Sequence, residues 1–66
     1  MQIYINGKPR EVRPGTTIAQ LLVELELDPR SLAVECNQQL VPRGEHADTE
    51  LSTGNRLEVV TLVGGG

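Results

Sequence analysis

Along "MQIYINGKPREV" apolar and polar residues alternate, with Ile3 and Ile5 on one side and Gln2, Tyr4 and Asn6 on the other. That period of two predicts a half-buried strand. Asn6-Gly7 tolerates the positive φ angles of a type I′ hairpin turn. The chain then returns from Lys8 to Val12, and Pro9 places this return at a sheet edge, because proline cannot donate to a ladder. Pro14-Gly15 breaks the sheet, and in "TTIAQLLVELEL" the period changes. Ile18, Leu21, Leu22 and Leu25 stand at i, i+3, i+4 and i+7, one stripe of a helix. Thr17 and Gln20 fit a capping box at its start. Asp28-Pro29 is expected to stop it, since the residue before proline avoids the α region.

Period two returns in "LAVEC", where Leu32, Val34 and Cys36 alternate with Ala33 and Glu35. The "NQQ" turn leads to a short strand around Leu40 and Val41 that ends at Pro42. Residues 43–53 are polar and turn-rich, with Leu51 expected as their only anchor. Gly54-Asn55 makes a further turn, and "RLEVVTLV" is the last strand. A single helix has to cover a single sheet face, because nothing else is long enough to bury its stripe. The first and last strands then lie side by side as parallel central strands, joined across the helix. The pattern predicts an α+β fold of the β-grasp, ubiquitin-like kind: a mixed four- to five-stranded sheet packed on one main helix. Residues 1–63 form the domain, and 64–66 a flexible glycine tail.

Composition narrows the function. The 66 residues suit one small domain without room for a deep cleft. Six basic against nine acidic residues give a net charge of −3, which repels nucleic-acid phosphates and anionic lipid and favours a partner with a basic docking face. Tyr4 is the only aromatic residue, so there is no stacking platform for single-stranded nucleic acid. A single cysteine offers no internal disulfide, and nothing reads as a leader or a membrane span. A cytoplasmic protein, monomeric when free, is expected.

Candidate chemistry within the domain is sparse. His46 and Cys36 cannot by themselves furnish a tetrahedral metal site, so no metal is expected. Cys36 lies on the apolar phase of its strand and reads as a packed, inert thiol. His46 reads as a solvated surface residue of the polar loop, and Glu24 and Glu26 as solubilising charges on the helix. The ending is different. Gly64, Gly65 and Gly66 follow a strand, reach about 10 Å if extended, and can thread a slot too narrow for any residue with a Cβ. A carboxylate beyond them can attack the α-phosphate of ATP to give an acyl adenylate, open in turn to sulfide or a thiolate. The C-terminus is the reagent, and the domain is its handle.

On these residues the sequence resembles the sulfur carrier family of thiamine biosynthesis, which is ubiquitin-like. The similarity runs through the "NG" hairpin, "TTIAQLL", "LAVECNQQLVPR", "LSTGNRLEVV" and the terminal glycines. Two positions depart from the family pattern: His46 stands where a Trp is usual after "VPR", and Gly54-Asn55 replaces a Gly-Asp turn that Asn suits equally well. The resemblance implies a cycle in which the chain is not an enzyme and holds no cofactor of its own. A ubiquitin-activating-like adenylyltransferase uses Mg-ATP to adenylate Gly66. Sulfur from a donor such as a cysteine desulfurase converts the adenylate to a thiocarboxylate, and thiazole synthase takes that sulfur for the thiazole ring. Carriers serving tRNA thiolation or molybdopterin synthesis, and a non-catalytic β-grasp interaction module, are the alternatives.

The phase of the last strand also predicts a docking surface. Arg56 and Glu58 set Leu57 and Val59 toward the helix, so Val60 and Leu62 point to the open sheet face. Tyr4 is out of phase with Ile3 and Ile5 and is expected to join them in an apolar patch beside the tail.

Overall fold

Asn6 and Gly7 take φ of 50° and 83°, the left-handed pair that a type I′ turn requires. They fold strand β1 (Gln2–Ile5) back onto β2 (Lys8–Glu11). The computed structural model in which this is seen describes residues 1–62. The predicted positions of Val63, Gly64, Gly65 and Gly66 lie outside the described residues. Pro9 pairs with Tyr4 on β2, an edge strand.

Helix α1 (Ile18–Glu24) starts as the capping box predicts. Thr17 Oγ1 accepts from the Gln20 backbone N–H at 3.1 Å, and Gln20 Oε1 accepts from the Thr17 N–H at 3.0 Å. Its end differs from the expected stop at Asp28-Pro29. Leu25 is the C-cap, and Glu26 adopts a left-handed φ of 57°. The Glu26 N–H then reaches the Val23 carbonyl at 3.0 Å and the Leu27 N–H the Leu22 carbonyl at 2.9 Å, a Schellman closure. The reason is packing. At about 100° per residue a continued helix would carry Leu27 to the side opposite Ile18, whereas the turn brings it against the core. Asp28 instead caps a short 3₁₀ turn, Pro29–Ser31, by accepting from the Arg30 N–H. The Arg30 side chain, and after it that N–H, holds the Asp28 carboxyl below its ordinary range. This contribution is present above the usual Asp pKa and is lost as pH falls through the lowered value.

Strand β3 (Leu32–Cys36) turns through Asn37 and Gln38, with φ of 51° and 70°, into β4 (Gln39–Val41). Strand β5 (Arg56–Thr61) closes the chain. The sheet order is β2-β1-β5-β3-β4. β1 and β5 are parallel, with Ile5 beside Leu57, while β3 and β5 are antiparallel, with Val34 beside Val59. Ile3, Val34 and Leu57 meet Ile18, Leu21 and Leu22 of α1 in the buried core. This is the β-grasp arrangement, with five strands and one main helix among the described residues.

The polar stretch after β4 corrects the sequence reading. Leu51 is buried as expected, but it is not the only anchor. Arg43–Asp48 forms a 3₁₀ helix, and His46 within it is only 4% exposed, not solvated. Its Nε2 lies 3.0 Å from the Val41 carbonyl, which fixes the proton on that nitrogen. The other ring nitrogen, Nδ1, is buried without a hydrogen-bond partner among the described residues. The ring lies with Leu22, Val23 and Leu27 along the groove between this segment and α1. An aromatic body with a polar tip can serve as a core residue in this way.

Leu22 is 2% exposed at the centre of this packing. Leu22→Ala is expected to cost about 2–5 kcal/mol, most of what a domain of this size has. Urea denaturation measures the loss, and a parental midpoint would show that the helix faces the sheet in another register.

Candidate functional site

β5 (Arg56–Thr61) is the strand that precedes the three glycines in the sequence. Its helix-facing residues are Leu57, 1% exposed, and Val59, which packs partly against the core. The alternate positions occupy the open face, where Val60 and Leu62 are 57% and 53% exposed. The expected phase of both residues is the observed one.

Tyr4 does not join them. It pairs with Arg56, at the start of β5, and the Arg56 guanidinium lies 4.6 Å from the ring centroid. Val60 is four residues further along the strand, about 13 Å at the usual rise. The alternation placed Tyr4 on the correct face, but it carries no information about register. The cation–π contact covers the ring, so Tyr4 belongs to the opposite end of the face.

The neighbours of Val60 come from the other side. Ala33 of β3 is its cross-strand partner, and Glu35 stands directly opposite Glu58. Leu40, 65% exposed, pairs with Glu35 on β4. The face therefore carries exposed Leu40, Val60 and Leu62 around two facing carboxylates. Neither carboxylate has an ion-pair partner among the described residues. Sequence reasoning missed Leu40, although a two-residue Asn37-Gln38 turn fixes Cys36 against Gln39 and so Glu35 against Leu40.

The end of β5 is held from both sides. Ser31 accepts from the Leu62 N–H at 2.8 Å on the β3 side. On the β1 side the Asn6 side chain binds both backbone groups of Val59. Its Oδ1 accepts from the Val59 N–H at 2.8 Å, and its Nδ2 donates to the Val59 carbonyl at 3.2 Å. Cys36 is half-buried, and desolvation pushes its thiol pKa up, away from the thiolate form that nucleophiles use. Among the described residues no group of three or more His, Cys, Asp or Glu side chains could hold a metal ion.

A small domain with an open apolar and acidic face, leading into a glycine ending, has close parallels. The ThiS family model matches residues 3–66. The chain belongs to the ThiS family. It is 30% identical to the sulfur carrier protein ThiS of Escherichia coli over 66 residues, the whole of both chains. The crystal structure of the thiamine biosynthesis protein ThiS from Geobacter metallireducens superposes with a TM-score of 0.86 at 28% identity, covering both chains completely. The chain is also 39% identical over its full length to a thiazole synthase of Paramagnetospirillum magneticum, but spans only 20% of that protein.

The facing carboxylates of this ThiS-family chain make a measurable prediction. Like charges directly opposite on neighbouring strands destabilise a sheet. Glu58→Gln should therefore raise stability, by about 0.2–1 kcal/mol in low salt, and the gain should shrink as salt screens the pair. A loss of stability on thermal or urea denaturation would mean that the carboxylates do not oppose each other.

Proposed function

We propose that the chain is a sulfur carrier of thiamine biosynthesis whose Gly66 carboxylate is activated and converted to a thiocarboxylate. The observation that carries this is the end-to-end match to a sulfur carrier of the same length, through residues that include the three glycines. The β-grasp domain is then a carrier and not a catalyst. Its work is to present a carboxylate at the end of a segment without side chains.

On a ubiquitin-activating-like adenylyltransferase, a Gly66 carboxylate oxygen attacks the α-phosphate of Mg-ATP, forming the acyl–phosphate bond and releasing pyrophosphate. Hydrosulfide attacking the activated carbonyl expels AMP and gives the thiocarboxylate directly. A persulfide from a donor such as a cysteine desulfurase expels AMP to give an acyl disulfide, which a second thiol cleaves to the thiocarboxylate and a disulfide. The thiocarboxylate sulfur then passes to the substrate held by thiazole synthase, and an oxygen from that substrate or from water takes its place on the carbonyl, regenerating the carboxylate. Thiazole synthases that contain a region like this chain support that client, and transfer to a different thiolating enzyme would redirect the assignment. We place the cycle in the cytoplasm. No helix among the described residues is long and apolar enough to cross a membrane.

Val60 and Leu62 are the proposed docking contacts, together with Leu40, since an exposed apolar set next to the reactive end is where a partner gains most from excluding water. The basic character expected of that partner follows from Glu35 and Glu58 on the same face.

Deleting Gly65 and Gly66 should abolish thiocarboxylate formation, read by intact mass after incubation with the adenylyltransferase, ATP and a sulfur source. Little change in the melting transition is expected, because glycines bury no apolar side chain. A deletion variant that still gains sulfur would rule out Gly66 as the reacting residue.

Val60→Asp and Leu62→Asp place an unpaired charge in a contact that should be dry. Affinity for the adenylyltransferase is expected to fall by about tenfold or more, equivalent to about 1.4 kcal/mol, in proteins that remain folded. Titration calorimetry reads this directly, and undiminished affinity would move the docking site elsewhere.

A further inference from the structure

The turn that joins β1 to β2 does more than reverse the chain. Among the described residues β1 pairs with β5 only at Arg56 and Leu57, and the last backbone bond between them runs from the Asn6 N–H to the Leu57 carbonyl at 2.8 Å. Beyond this the chain turns away into Gly7, while β5 continues to Thr61 with β3 as its only strand neighbour among the described residues. The N–H and carbonyl of Val59 both point to the side that β1 has left. The Asn6 amide meets both of them, donor to acceptor and acceptor to donor, as one more strand residue would. Only one orientation of the amide satisfies both bonds. Asn6 can do this because its own φ of 50° swings its side chain alongside the strand in place of its backbone.

We propose that Asn6 is a positioning residue for the C-terminal segment. Its amide extends the two-sided support of β5 by two residues and sets the heading on which the chain leaves the sheet. This rests on the sulfur-carrier reading, in which a docked partner must receive that segment at a fixed place. A strand held from one side pivots about its remaining neighbour. A strand held from both sides has one direction. Misdirection by an ångström or so at the reacting end is enough to lower a turnover rate without weakening docking.

Asn37 provides the matched control. It occupies the equivalent left-handed position in the β3–β4 turn, with φ of 51°, and its Oδ1 accepts from the Arg56 N–H at 2.9 Å. It therefore braces the opposite end of β5, away from the tail. Glycine is at ease at both positions, so Asn6→Gly and Asn37→Gly each remove a side-chain brace and leave the turn intact. Asn6→Asp keeps the acceptor for the Val59 N–H and removes the donor.

The test has a partner-free and a partner-dependent readout on the full-length chain. In amide exchange by NMR, Asn6→Gly should speed exchange at Val59 by about tenfold relative to the Leu21 amide in α1, Asn6→Asp should restore most of the protection, and Asn37→Gly should leave Val59 unchanged. In steady-state adenylation, Asn6→Gly should lower kcat several-fold at unchanged KM for the carrier, Asn6→Asp should fall between, and Asn37→Gly should retain the parental kcat. Unchanged Val59 exchange in Asn6→Gly overturns the brace. Faster exchange with parental kcat, a rise in KM alone, or an equal fall in kcat for Asn37→Gly overturns the positioning role. If the unsubstituted chain is not adenylated at all, the carrier reading and the positioning role fall together, while the exchange result still decides whether the brace exists.

Discussion

Everything in this domain depends on β5 being paired along both edges while one of its faces is buried. Leu57 can be 1% exposed only because β1 and β3 flank it and α1 lies across it. A strand formed last in sequence is thus central in space, and its backbone polar groups need partners on two sides in a site that excludes water. The first strand supplies one side as a parallel neighbour, which is possible because the connection between them passes over the helix. Asparagines then do what the short neighbouring strands cannot. Asn37 meets the start of β5, and Asn6 meets Val59 near its end.

The two faces of β5 obey different rules. Toward α1 the side chains are chosen for packing, and the Schellman closure at Glu26 shows how far local geometry bends to serve it. The chain accepts a non-glycine residue at φ 57° to bring Leu27 onto the core. Toward solvent the choices do not favour stability. Glu35 faces Glu58, and Val60 and Leu62 stand in water. Features that weaken the isolated fold and cluster on one face are what a surface shaped for a partner should show.

His46 illustrates a residue whose role is decided by its surroundings. In a polar stretch such as "RGEHADTE" a histidine has no apolar periodicity to mark it as buried. The Val41 carbonyl and the helix side of the groove, both remote from it in pattern, give its ring a place. Its Nδ1, unpartnered among the described residues, is the cost of burying an imidazole that has two ring nitrogens to satisfy.

By itself the sequence determined most of the elements and the faces of their side chains. The alternation of Ile3 with Ile5, the stripe from Ile18 to Leu25, the Asn-Gly turn and the capping box are local signals, each enforced by neighbouring residues, and all were legible. The same alternation placed Val60 and Leu62 on the open face, because side-chain direction in a strand follows from parity alone. What the tertiary structure decided was register and remote contact. Parity is unchanged when one strand slides two residues along another, so it could not say that Tyr4 meets Arg56 and not Val60. Nor could it reveal that His46 is a core residue, that the helix yields to the packing of Leu27, or that Asn6 reaches a strand 53 positions away. Those outcomes depend on which surfaces remain to be filled once the sheet has closed on the helix, and that is set by the whole chain at once.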